Sequence, residues 1–191
     1  MPLLPLAAVG VLAAASRLSG GQGSMALVDE GDVDGNWGSQ GAGVMLTTGQ
    51  RVLLMYRSPH VYDPETWGVP GGAVPVDDMT GEPDDLISAA AREVREETGL
   101  AFSRSRLAEN IVGQTVFRNR SFRFTTFIAR VAPATKWDRI RLNWESDDSG
   151  WFSPEHLLTL DLHHGVRFTL REAWDTIFEP DAPGGDLRHR I

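Results

Sequence analysis

One stretch of thirty residues constrains this chain more than any other. It runs from Gly71 to Leu100, GGAVPVDDMTGEPDDLISAAAREVREETGL, and joins a glycine pair, an acidic loop and a helix crowded with carboxylates. At roughly 100° per residue, Glu93, Glu96 and Glu97 fall within about a 100° arc, while Arg95 points to the far side. Like charges at those spacings cost a helix about 0.2–0.5 kcal/mol per pair, so a helix made only for the surface would interleave lysines. A hard divalent cation, which takes oxygen ligands, reverses the sign of that cost. Taken alone, REVREE also reads as an ordinary solvated helix, and the flanking sequence has to decide. Leu86, Ala90 and Val94 form the apolar stripe that buries such a helix on a sheet and turns its carboxylates toward a cleft. Gly99 suits a left-handed C-cap, with Leu100 folding back on the helix.

Arg92 to Leu100, REVREETGL, matches at nine consecutive positions the second half of the Nudix box, G-x5-E-x7-R-E-U-x-E-E-x-G-U with U apolar. Trp67-Gly68-Val69-Pro70-Gly71-Gly72 is similar to the tryptophan and glycines that lead into that box. The chain thus resembles the Nudix family over about residues 38–178. One departure stands out. Counting back from Leu100 puts the first box glycine at Asp78 and the first box glutamate at Asp84, whereas Gly72, six residues earlier, looks like the family's glycine. The loop then carries a six-residue insertion, with Asp84 or Glu82 in place of the first glutamate, a residue that in the family braces the loop against the box arginine, here Arg92. Asp84 and Asp85, following Pro83, equally suit the capping of a helix N-terminus.

The resemblance implies an α/β fold, the Nudix-type α/β/α sandwich with a mixed β-sheet. It implies an enzyme that hydrolyses a pyrophosphate bond in a nucleoside diphosphate linked to another moiety, with Mg²⁺ or Mn²⁺ as cofactor. Carried over residue by residue, Glu96 and Glu97 are direct metal ligands, Glu93 is a ligand or orients the attacking water, and the main-chain carbonyl of Gly71 adds an oxygen. Family members place a further glutamate several residues ahead of a tryptophan. Glu145 stands there, as remaining ligand or general base, with a solvated loop acid as the plainer reading. Arg92 completes the catalytic set as the loop's brace. The alternative is a catalytically silent nucleotide-binding module, which would be expected to have lost part of the glutamate set.

Elsewhere, Gly41 to Thr47 and Arg51 to Arg57 read as a buried hairpin flooring the site, and Ser58 to Thr66 as a loop. Arg57, at the strand's end, is a candidate for gripping phosphate. Ile111–Phe117 and Phe122–Val131 read as strands whose arginines and phenylalanines alternate. That alternation is either a plain amphipathic hairpin or a wall on which Phe117 stacks a base and Arg123 holds phosphate. Trp151-Phe152 reads as a short strand behind an acidic loop, and Val166 to Phe178 as a final helix with His163 and His164 at its entry, to which no chemistry is assigned; the tail from Glu179 reads as frayed.

Two domains do not fit 191 residues of this composition comfortably, so the chain divides into an apolar and Gly/Ser-rich extension, 1–24, and a single domain, 25–191. The extension reads as a tag, an upstream start or a targeting segment. It lacks a basic n-region, and with two prolines it suits a bilayer span poorly, so no stable membrane association is expected. A net charge of −8 without basic stripes argues against a nucleic-acid surface and leaves a small nucleotide-type substrate as partner. The absence of cysteine excludes disulfides and thiolate catalysis and agrees with a cytoplasmic location. Oligomeric state is not legible.

Overall fold

Residues 40–75, 85–118, 122–132, 140–182 and 187–191 are described by the computed structural model of the chain. In order they form β1 (Gln40–Thr47), β2 (Val52–Arg57), β3 (Trp67–Gly68), β4 (Gly71–Ala73), α1 (Leu86–Thr98), α2 (Arg104–Asn110), β5 (Ile111–Arg118), β6 (Arg123–Arg130), β7 (Ser146–Phe152), α3 (Pro154–Leu157) and α4 (His164–Ile177), with a 3-10 turn at Leu187–Arg190. The boundary between 24 and 25, most of the inserted loop with Asp77, Asp78, Glu82 and Asp84, and the 119–120 junction lie outside the described residues.

The side chains of β1 and β6 alternate between two cores, as a period of two requires. Ala42, Val44, Leu46, Phe127 and Ala129 pack with Ala89, Ala90 and Val94 of α1 on one face of the sheet. Met45 and Ile128 pack with Val166, Leu170, Trp174 and Ile177 of α4 on the other. The sheet is mixed: β1 runs parallel to β6 along its whole length, while β5–β6, β2–β7, β1–β4 and β2–β3 are antiparallel. This is the expected α/β/α sandwich. Among the described residues no helix is long and apolar enough to cross a membrane.

The expected β1–β2 hairpin is closed at its turn, where the Thr48 N–H donates to the Arg51 carbonyl at 2.9 Å, but the two strands pair only at Thr47 and Val52. Beyond that point they diverge. Residues 67–73 fill the gap, β3 pairing with the end of β2 and β4 with the start of β1. Close approach explains the glycines there: a Cβ on Gly71 would lie 2.7 Å from Gly43 Cα, and one on Gly43 would lie 2.8 Å from the Pro70 oxygen.

Two further elements differ from expectation, and α2 had none. The acidic stretch before Trp151 is strand, β7, paired along the length of β2 with Asp147 and Asp148 exposed. α2 is a short helix capped by the Ser103 hydroxyl, which accepts from the Arg106 N–H, and it buries Leu107 alone, too little for a readable stripe. The final helix begins at His164 rather than Val166 because His163 is its N-cap. After it, Leu187 and Ile191 pack on the α4 core, and the Ile191 oxygen accepts from Arg171 Nη2 at 2.8 Å, so this part of the tail is not frayed.

Candidate active site

The site is built where α1 crosses the glycine pair. Asp85 caps the helix, its Oδ2 accepting from the Ser88 N–H at 3.2 Å and pairing with Arg104 Nε at 2.6 Å. Gly99 closes the other end with φ of 67°. Of the alternatives open for the two aspartates, Asp85 takes the capping role.

The helix splits its three carboxylates. Glu93 and Glu97 are buried, while the Glu96 side chain is 50% exposed. Glu97 Oε1 accepts from the Gly71 N–H at 2.8 Å, so the backbone of β4 holds one buried carboxylate. The next residue receives the other: a Cβ on Gly72 would lie 2.6 Å from Glu93 Oε1, a position only glycine leaves open. Arg92 stands between Glu93 and Glu96, its Nη2 2.9 Å from Glu93 Oε1 and its Nη1 3.1 Å from Glu96 Oε2. Its Nη2 also donates to the Ala73 carbonyl at 3.3 Å, just before the inserted loop.

Glu145 arrives from the β2 edge of the sheet, one residue before β7. Its N–H donates to Asn143 Oδ1 at 2.9 Å, and its carbonyl accepts from the Ser58 N–H at 2.8 Å. Burial pushes its carboxyl up to about 7, with Glu93 and Glu96 adding to the shift and Arg57 opposing it. Burial also raises Glu93 above the usual range, and raises Glu97 well above it with help from Glu145 and against the Gly71 N–H. Glu93, Glu96, Glu97 and Glu145 therefore act on one another, and the described cations facing them, Arg57 and Arg92, do not balance them. An oxygen donor set whose charges repel one another fits Mg²⁺ or Mn²⁺.

Arg57 is buried and faces Glu97, Asp63 and Glu145, but its hydrogen bonds go to backbone: Nε to the Asp63 carbonyl at 3.2 Å and Nη2 to the Tyr62 carbonyl at 2.5 Å. Phe117 lies opposite Phe124 and packs edge-on against Phe168, with centroids 5.7 Å apart. Phe124 Cζ in turn lies 3.1 Å from where a Gly71 Cβ would be, so this aromatic cluster backs the glycine strand. Arg123 is exposed at its rim.

Sequence reasoning missed a second cluster. Asp63, with φ of 54°, places Oδ2 3.1 Å from His163 Nε2 and 3.3 Å from His164 Nδ1. Among the described residues it is this trio, and not the box glutamates, whose potential ligand atoms all lie within 4.8 Å of one another. The hydrogen bonding argues against a metal there. His163 Nδ1 accepts from the Gly165 N–H at 3.0 Å, so the ring proton sits on Nε2 and is donated to Asp63, leaving that nitrogen no lone pair for an ion. The carboxylate of Asp63 is lowered chiefly by that bond, and His164 is pulled down to about 4 by burial and by His163, which keeps it neutral. The available signal, an adjacent histidine pair, says nothing of its partner 101 residues away.

The NUDIX domain matches residues 39–173 of this chain. No curated protein matches it. Among solved structures it is similar to a bifunctional NMN adenylyltransferase/ADP ribose pyrophosphatase from Francisella tularensis, complexed with AMP and a manganese ion, at 18% identity and a TM-score of 0.55. That match covers 71% of this chain and 41% of the Francisella chain, so this chain spans about two fifths of that relative. It is also similar to RenU, a Nudix hydrolase from M. smegmatis, at 26% identity and a TM-score of 0.53 over 74% of this chain and 89% of that one. The MutT protein of Methanosarcina mazei matches at 22% identity and a TM-score of 0.51 over 70% and 90%.

Proposed function

The chain belongs to the NUDIX domain family, and from that premise we propose that it is a divalent-cation-dependent pyrophosphohydrolase acting on a nucleoside diphosphate linked to another moiety. The observation that carries this reading is the pair of buried carboxylates set against adjacent glycines, Glu97 on the Gly71 N–H and Glu93 against Gly72, with Glu145 facing them. Glu93, Glu96, Glu97 and the Gly71 carbonyl are the groups that would hold Mg²⁺ or Mn²⁺, the latter being the ion named with the Francisella relative. When bound, the cation neutralises phosphate charge and acidifies water.

Glu145, which faces Glu93 and Glu96 from beside Arg57, is the base that takes the proton from the attacking water. The water oxygen forms a bond to phosphorus, the bridging P–O bond breaks, and its electron pair leaves with the departing phosphate. Arg92 positions Glu93 and Glu96 and ties both to β4 through the Ala73 carbonyl. Arg57 and Arg123 supply positive charge at the substrate's edge, and Phe117 steadies the wall between them and the glycine strand.

The test is release of phosphate-containing product from a panel of nucleoside triphosphates, ADP-ribose, nucleotide sugars and dinucleoside polyphosphates with Mg²⁺ or Mn²⁺. Turnover that requires the cation and disappears in Glu97→Gln supports the reading. Cation and nucleotide binding without turnover anywhere in the panel would replace it with a silent binding module.

A further inference from the structure

Arg57 faces Glu97 and Glu145 on one side and Asp63 on the other, and it is 8% exposed. A guanidinium buried to that degree needs acceptors for its donors. Its Nε donates to the Asp63 carbonyl at 3.2 Å and its Nη2 to the Tyr62 carbonyl, whereas its Nη1 has no hydrogen-bond partner among the described residues. Gly68 leaves room for the stem, since a Cβ there would lie 3.2 Å from Arg57 Cδ.

The two carbonyls belong to the 58–66 loop, so whatever fixes that loop aims the arginine. Its neck is closed by the Arg57 N–H on the Thr66 carbonyl and the Glu65 N–H on the Arg57 carbonyl, both at 3.0 Å. Asp63 and Glu65 take left-handed φ values of 54° and 58° without being glycine, a conformation that persists only where the surroundings hold it. The hold comes from the entry of α4, which packs on the opposite face of the sheet from α1. There the Gly165 N–H donates to His163 Nδ1 at 3.0 Å, and Asp63 Oδ2 lies 3.1 Å from His163 Nε2 and 3.3 Å from His164 Nδ1. A chain of hydrogen bonds thus runs from Gly165 through His163 and Asp63 to Arg57. The same loop also steadies Glu145, whose carbonyl accepts from the Ser58 N–H at 2.8 Å.

We propose that Asp63, held by His163 and His164, is a positioning residue for phosphate binding: it fixes the loop carbonyls that aim Arg57, leaving Nη1 to meet a substrate phosphate oxygen beside Glu97 and Glu145. The proposal rests on the phosphate-binding part of the reading above. A long side chain loses rotamer freedom when it grips an anion, and a fork already fastened at two donors has lost most of that freedom before the substrate arrives.

The experiment is a double-mutant cycle on the full chain, reading ADP affinity by calorimetry with Mn²⁺ beside turnover on the substrate panel. Asp63→Gly removes the carboxylate but suits the φ of 54°, so the backbone keeps its turn. It should weaken ADP binding about tenfold, and Asp63→Asn, which still offers His163 an oxygen, should recover most of that loss. Arg57→Lys keeps the charge and loses the fork. In that background Asp63→Gly should change ADP affinity by less than about twofold, because an effect carried through Arg57 cannot be lost twice. If melting curves show that Asp63→Gly does not fold, His164→Phe replaces it in the cycle, with a loss of about threefold that likewise vanishes in Arg57→Lys. Equal losses in both backgrounds would make the cluster a structural prop and overturn the proposal. Unchanged affinity in Asp63→Gly, or no ADP binding by the wild type, would overturn it as well. Coupling between Asp63 and Arg57 in ADP binding, in a protein that releases no product from the panel, would support the positioning role and overturn the hydrolase reading.

Discussion

Two clusters of ionisable groups lie on either side of Arg57, and they are opposites. Around Asp63, each charge meets a donor: His163 donates to it, His164 stays neutral beside it, and the carboxylate is stabilised in its ionised form. Around Glu93, Glu97 and Glu145, burial and mutual repulsion disfavour the ionised forms. A cluster satisfied from within serves the fold, whereas one left charge-frustrated needs something from outside. The difference comes from tautomers and donors, not proximity, since it is the satisfied cluster whose ligand atoms lie closest together.

The largest effect that would break this contrast comes from neutralising one acid in each cluster. Glu97→Gln should lower cation-dependent turnover by more than about a hundredfold, yet raise the melting temperature of the metal-free protein, because the amide oxygen still accepts from Gly71 and a buried charge is gone. Asp63→Asn should do the reverse to stability, lowering it by about 1–2 kcal/mol through a weakened bond to His163. Melting curves without metal, with the two variants shifting in the same direction, would count against the distinction.

Protons sharpen it next. Glu145 has a folded value of about 7 against an ordinary 4.5, so its favourable contribution to stability is fully present below about pH 4.5 and is lost as pH rises through 7. His164 has a folded value of about 4 against 6.5, so its contribution is present above pH 6.5 and is lost as pH falls toward 4. Between pH 5 and 8 without metal, Glu145→Gln should therefore melt progressively higher than the wild type, a gap that Mn²⁺ narrows by stabilising the wild type. A pH-independent gap would contradict the raised carboxylate.

Arg92→Ala ranks third. It removes the contacts to Glu93, Glu96 and the Ala73 carbonyl together, and should cost about 1 kcal/mol of stability and roughly tenfold in turnover. A fully stable but inactive variant would assign the arginine to substrate instead. The smallest expected effect on cation affinity belongs to trimming Pro75 to Thr80, which should change substrate preference and KM while leaving Mn²⁺ binding within about twofold; the entropy of loop closure varies only with the logarithm of length. Lost Mn²⁺ binding would make Asp77 or Asp78 a ligand.

The box helix was legible because the apolar stripe from Leu86, the family's pattern from Arg92 to Leu100 and the Gly99 cap all agree. That Glu145 would lie beside the box glutamates could be read only from the family's spacing, since nothing local separates it from a loop acid. β7 was hidden by Asp and Gly, residues that strands avoid; its pairing comes from the edge of β2 that β1 leaves free beyond Val52. The splayed β1–β2 pair was hidden because a turn sequence reports its closure and not where the strands part. The Asp63 cluster was hidden most deeply, for it depends on a left-handed aspartate in a stretch without glycine and on histidines far along the chain.

β1 takes its parallel partner, β6, from beyond the box helix, α2 and β5, so the centre of the sheet is a long-range closure. Pairings of that separation cost loop-closure entropy before they are rewarded, and that slows folding. Glu97 reaches the Gly71 N–H across 26 residues of chain, so the proposed cation site belongs to the folded molecule. A cation should accordingly leave the refolding rate almost unchanged and slow unfolding, acting as a lock on the finished molecule rather than as a guide to its assembly.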